Sequence, residues 1–271
     1  MQTLEPLFQH GVTLMLVAFR LAGVMLFSPV VAGASVPRSA KVFLVVMFAA
    51  AIYPSLDSQW HAPPDMSMLT LAQIMFTETL IGATVGFIVS IPIVAMQLGG
   101  NIMGMQMGLG LAQVYNPIMG GNSGAIDQIM FFLAVAVFVT LGGLDIMFMS
   151  LVQTYEHIPL GGMVLEATPM DLITGLMSSA YVLAMRVAAP VLSIMFLETV
   201  ASGVLMKTIP QINILSIGFA IKAVAGLIAL SGALIAIESV FIDELRNTLM
   251  LLMDWANSGA PVPATAGGQD G

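Results

Sequence analysis

Seven ionisable side chains stand inside apolar stretches of this sequence: Arg20, Glu78, Asp145, Arg186, Glu198, Lys222 and Glu238. In a low-dielectric setting such groups can relay protons, line an ion path or neutralise one another. An Arg, Lys or Asp facing lipid at the centre of a membrane helix costs about 2.5 to 3.5 kcal/mol. They must therefore face protein, a polar lumen or a membrane–water interface. Three are basic and four acidic, so pairing nearly neutralises the set. Pairing along one helix fails, because Arg186 and Glu198 lie roughly three turns apart and point to different faces. Pairing across helices is the expectation for Arg20, Glu78, Arg186, Glu198 and Lys222, with a proton or ion relay as the other reading. Glu238 stands near the end of its apolar run and is expected to be an ordinary helix-end charge.

Other chemistries lack their residues. There is no cysteine, which excludes disulfides, thiolate nucleophiles and thiolate metal sites. His10, His61 and His157 are isolated and form no metal-ligand spacing, so no metal is expected. Gly108–Leu109–Gly110 does not continue into a dinucleotide loop, and neither a phosphate-binding GxxxxGK loop nor a GxSxG elbow occurs. The expectation is a non-enzymatic protein without a cofactor. A net charge of −8, with 7 scattered Lys and Arg, excludes nucleic acid as a partner.

The elements that carry these charges follow from composition. Of 271 residues 58% are hydrophobic and 8% charged, where a soluble domain carries roughly 25% charged residues. With a mean hydropathy of +0.99, and with Leu, Ile, Val, Ala and Met prevailing over alternating patterns, the fold class expected is all-α: a polytopic membrane protein. Apolar runs at Val12–Val31, Ala40–Leu56, Leu69–Leu98, Ile129–Val152, Leu172–Met206 and Ile212–Ile242 predict about six helical segments. Pro92 and Pro190 predict a kink or break in the third and fifth. Met1–His10 carries Glu5 and no Lys or Arg, unlike a cleaved signal peptide, so the first run is expected to be retained. Arg38, Lys41 and Lys207 put the first and last connections on the cytoplasmic side, with both ends outside. One helical domain over 1–256 and a mobile Gly/Pro/Ala tail over 257–271 are expected.

Gly99–Asp127 stands out among the connections. It is long, free of Lys and Arg, and interrupted by Asn116–Pro117 and Gly120–Gly121. Such length in a connection usually means function or disorder, and its apolarity disfavours disorder. Gly100, Gly104 and Gly108 form a GxxxGxxxG stripe interleaved with Met103, Met105 and Met107, soft side chains that adapt to changing neighbours. Gly82 and Gly86 form a second GxxxG pair, expected to serve plain helix packing.

Taken in order, several stretches resemble the FliR family, the membrane subunit of the flagellar type III export gate, and its injectisome counterpart. They are Arg20 with Ser28–Pro29, Val36–Pro37–Arg38, Glu78–Gly82 with Gly86, Gly99–Gly100 leading to Gln106–Ala112, Asn116–Pro117, Ile158–Pro159, and Lys207–Asn213 with Gly218 and Lys222. The resemblance implies one copy assembled with several copies of FliP and FliQ, and FlhB near the cytoplasmic mouth. Together they would form a conduit in the bacterial inner membrane for unfolded flagellar proteins. It implies helical hairpins buried largely against partner subunits, not only in lipid, and a plug formed by about Gly104–Gly124.

On that reading a pore must be sealed against ions at rest, and apolar side chains on a glycine-hinged loop seal by excluding water. The candidate seal is Met103, Met105, Met107, Leu109, Leu111 and Ile118. Gly108, Gly110, Gly120 and Gly121 would allow displacement, while Asn116–Pro117 stiffens a turn. Pro210, Gln211 and Asn213 are either a hairpin turn or a partner contact. Two competing readings are a proton-coupled transporter of a small solute using Glu78, Arg186 and Glu198, and a pure scaffold.

Overall fold

The computed structural model describes residues 5–28, 37–56, 67–109, 124–158, 160, 170–208 and 214–258. These form α1 (Glu5–Phe27), α2 (Arg38–Ile52) with a 3-10 turn (Tyr53–Ser55), α3 (Met68–Gln106), α4 (Ala125–Thr140), α5 (Gly143–His157), α6 (Met170–Thr208) and α7 (Ile214–Ser258). No strand occurs among the described residues. Among the described residues four stretches are long and apolar enough to cross a membrane: His10–Phe27, Met68–Gln106, Thr174–Leu205 and Gly218–Asn257. The broken pair α4 and α5 adds a fifth if counted as one span. The protein is an all-α polytopic membrane protein.

Several boundaries differ from the hydropathy reading. The run 129–152 is two helices, broken at Leu141–Gly142, where Gly142 takes φ +74, a backbone conformation that glycine adopts without Cβ strain. Residues 99–106, expected as the start of a loop, continue α3. Pro92 and Pro190 lie within unbroken α3 and α6. One missing N–H costs less in apolar surroundings than unwinding a turn and stranding several peptide groups. The last helix runs on to Ser258, beyond the expected end at Ile242. Leu245, Leu249, Leu252 and Trp255 keep its buried stripe going, while Asp243 and Arg246, which interrupt the hydropathy, are exposed. This overturns the helix-end reading of Glu238, which lies 20 residues short of the end of a 45-residue helix. Residue 257 is helical, and the rest of the expected tail after Ser258 lies outside the described residues.

Two compact units emerge, and the chain passes between them several times. One comprises Met1–Ile91, Leu141–Leu176 and Asn247–Gly271; the other comprises Pro92–Thr140 and Met177–Arg246. The first has a core of Leu16, Leu21, Ile81, Ile88, Met147, Leu151 and Leu252, all nearly inaccessible. The second is built round Met96, Met103, Met107, Met130, Phe138, Val187 and Phe241. Ser67 starts α3, its hydroxyl accepting the Thr70 N–H at 3.1 Å. Within the apolar helices Thr79, Thr84 and Thr199 donate to carbonyls four residues back, so their hydroxyls need no outside partner.

Candidate functional site

In the first unit the charged residues Arg20 and Glu78 are fully buried, and Arg20 is the centre of the site. Its Nε donates to Glu78 Oε2 at 2.6 Å, and neither side chain is accessible. Its terminal nitrogens donate to Thr154 Oγ1 and to the Ile158 carbonyl, both at 3.1 Å. The guanidinium carbon lies 4.2 Å from the centroid of the Tyr155 ring. The Tyr155 hydroxyl donates to the Val17 carbonyl at 3.2 Å, tying the ring to the turn of α1 before Arg20. The cation is therefore met by a carboxylate, a hydroxyl, a carbonyl and an aromatic face, as a guanidinium withdrawn from water requires.

Three glycines bring the two helices close enough for this. A Cβ on Gly82 would collide with the Arg20 carbonyl oxygen, one on Gly23 with that of Thr79, and one on Gly86 with that of Val24. The α1–α3 seam is thus backbone against backbone, and it carries Glu78 within reach of Arg20. Gly23, Thr154 and Tyr155 were not singled out from the sequence. Gly23 alone left a signal, one turn after Arg20, whereas nothing local marks Thr154 and Tyr155 as partners of a residue so distant in sequence.

The second unit contains the stem of the glycine- and methionine-rich segment. Met103 and Met107 are fully buried, while Met105 is 65% exposed. The two buried methionines thus pack within the chain, while Met105 faces outward. A helical repeat puts 103 and 107 on one side and 105 on the other. Met107 sits where a Cβ on Gly226 of α7 would collide with its Cγ. Gly108 has φ +79 and lies against the Phe219 ring, turning the chain out of α3. Gly100 packs against Asp127 and Met130 of α4. Gly226 and Phe219 were invisible as partners in the sequence, since nothing local to α7 points to Met107. Leu109 is half-buried, and Gly110, Leu111, Asn116, Pro117, Ile118, Gly120 and Gly121 lie outside the described residues, as do Pro210, Gln211 and Asn213.

Arg186, Glu198 and Lys222 are not brought into ion pairs among the described residues. Glu198 is half-buried, accepts the Ser202 hydroxyl at 2.6 Å on Oε1, and has its other oxygen buried without a partner among the described residues. Asp145 and Glu238 are exposed. The residues named for a transporter do not converge, because Glu78 is committed to Arg20, and Arg186 and Glu198 are roughly 18 Å apart along one helix. No group of three His, Cys, Asp or Glu able to hold a metal occurs among the described residues.

Long apolar helices, a self-contained guanidinium site and a glycine-turned methionine stem define an all-α membrane protein whose fully buried Arg20 is satisfied within its own chain. Residues 12–248 match bacterial export proteins, family 1, and the chain belongs to that family. It is 29% identical over 226 residues to the flagellar biosynthetic protein FliR of Escherichia coli (strain K12), covering 83% of this chain and 85% of that one. Against the protein of the same name from Bacillus subtilis (strain 168) it is 24% identical over 252 residues, covering 88% and 95%. It is also similar to the Yop proteins translocation protein T of Yersinia pestis, 23% identical over 214 residues with 78% and 79% covered.

Proposed function

We propose that this chain is the FliR-type subunit of a flagellar type III export gate in the bacterial inner membrane. There it acts without enzymatic chemistry, helping to form and plug the conduit for unfolded flagellar proteins. The observation that carries this reading is the family match spanning residues 12–248, with relatives named for flagellar biosynthesis aligned over most of both chains. FliP and FliQ in several copies, with FlhB, are its proposed partners.

In this reading the segment of about Gly104–Gly124 is the plug, and its stem includes the described turn at Met107–Gly108. The stem supports the reading because a stopper needs a fixed root: Met107 is locked against α7 while Gly108 redirects the chain. Deleting Gly110–Gly121 in the assembled gate should raise ion leakage across the membrane at rest, measured as conductance. Unchanged conductance rules the seal out. Affinity purification in mild detergent should recover FliP and FliQ with the chain; a monodisperse protein that moves a small solute unaided would favour the transporter instead.

A further inference from the structure

Arg20 and Glu78 neutralise each other, but Asp127, in the first turn of α4, is buried without such a partner. It is 4% exposed. Its Oδ1 accepts the Gln128 N–H at 2.9 Å, a bond to its own neighbour along the chain. No ion pair of Asp127 occurs among the described residues, and these include all 7 Lys and Arg of the chain. The helix ends do not stand in for a cation. Asp127 lines a cavity together with Gly100, Asn101, Gly104 and Leu109, so the last turns of α3 and the first turn of α4 meet there. Their partial charges are opposite in sign and similar in size, and largely cancel. A full negative charge is left, withdrawn from water.

The cavity beside Asp127 has room for one occupant of about the size of water, its volume being about 10 Å³. Asn101, half-buried on its wall, has no hydrogen-bond partner for its side-chain amide among the described residues. The Gly104 carbonyl accepts the Leu109 N–H at 3.1 Å and keeps a second lone pair. Carboxylate, amide and peptide oxygens are the donors that hard cations take. We infer that this cavity binds one monovalent cation of about the size of sodium, held by Asp127 and Asn101. Water fits the volume but leaves the charge uncompensated. Calcium or magnesium calls for more than one carboxylate, and no group of three His, Cys, Asp or Glu able to hold a metal occurs among the described residues. The bound ion ties the end of α3 to the start of α4, beside the seam where Gly100 meets Asp127.

The test uses the full chain in its detergent-solubilised assembly, with sodium chloride exchanged for N-methyl-D-glucamine chloride at equal ionic strength. Binding of radioactive sodium should be saturable. Wild type should hold one more sodium per copy of the chain than Asp127→Asn, which keeps the shape and removes the charge. Asn101→Ala loses one neutral ligand and should bind about tenfold more weakly. Sodium should raise the unfolding temperature of the wild-type assembly and leave that of Asp127→Asn unchanged. The chain has no cysteine, and a Cβ on Gly104 lies 3.6 Å from that of Ile126, within disulfide range. Gly104→Cys with Ile126→Cys therefore reports whether the α3–α4 seam is intact. Equal disulfide formation with and without Asp127→Asn shows that the lost sodium is lost affinity and not lost folding. Where Asp127→Asn prevents the disulfide, the sodium response of wild type and the weaker binding of Asn101→Ala decide.

The proposal is overturned if wild type and Asp127→Asn hold equal sodium, or if Asn101→Ala binds it as tightly as wild type. It is also overturned if unfolding of the wild-type assembly responds to acidification and not to sodium, the behaviour of a carboxyl neutralised by a proton alone.

Discussion

At Arg20 the physics of a buried ion pair makes single and double replacements diverge. Removing Glu78 alone strands a guanidinium with no water to solvate it, so Glu78→Leu should cost about 3–5 kcal/mol. The double variant Arg20→Met with Glu78→Leu removes both charges and should recover most of that loss. Thermal unfolding of the detergent-purified complex distinguishes the two outcomes; equal destabilisation by the single and double variants would mean that the pair is not the reason these residues are tolerated. Tyr155 divides its contribution in the same way. Tyr155→Phe keeps the ring under Arg20 and loses one hydrogen bond to Val17, about 1 kcal/mol, whereas Tyr155→Leu also removes the cation–π contact, worth about 2 kcal/mol where desolvated.

Between elements, the decisive contacts are glycines that admit a neighbour. Gly82→Val should force α1 and α3 apart, since the added atoms fall on backbone that cannot rotate away. Gly203→Ala on α6 meets nothing within 4 Å and should stabilise by about 0.5–1 kcal/mol through helix propensity. The level of folded chain in membranes reports both, and a harmless Gly82→Val would refute the close seam. On α7, Gly226→Ala should displace Met107 and, if the segment after it is the proposed plug, loosen its root, read as increased resting conductance. Combining it with Met107→Ala should relieve the clash, so the double variant should leak less than Gly226→Ala alone. Additive effects would show that the two positions do not touch.

For the whole molecule the telling contrast is in how far each candidate span is covered by its own chain. In the most apolar 18-residue stretch of α3 67% of the residues are buried, against 33% and 28% in those of α6 and α7. Apolar residues ring α3, which is why it can serve as an inner helix; α6 and α7 are equally greasy but present much of that surface outward. These helices also exceed a bilayer's thickness, 39 and 45 residues against the roughly 20 that suffice to span one. Lipid alone therefore cannot cover them along their whole length. The chain produced by itself should aggregate in mild detergent and unfold at lower temperature than when co-produced with its gate partners, as followed by size exclusion and circular dichroism. A monodisperse, equally stable lone chain would contradict this.

The sequence by itself determined the solvent and the secondary structure. A chain with 8% charged residues and long runs of Leu, Ile, Val, Ala and Met has to satisfy its peptide groups internally and therefore forms helices. It also marked which charges could not be left in lipid, and that Gly82 and Gly86 form a packing stripe. Tertiary structure decided which of those charges the chain satisfies itself. Arg20 meets Glu78 and Tyr155 only because backbone seams bring residues 58 and 135 positions distant into contact, and no local pattern encodes such a meeting. It likewise decided that Met103 and Met107 pack inward, that α7 continues past its charged turn, and that Glu238 lies far from a helix end. Hydropathy sums the character of neighbours along the chain, whereas burial depends on which side of a helix each residue occupies and on what that side meets.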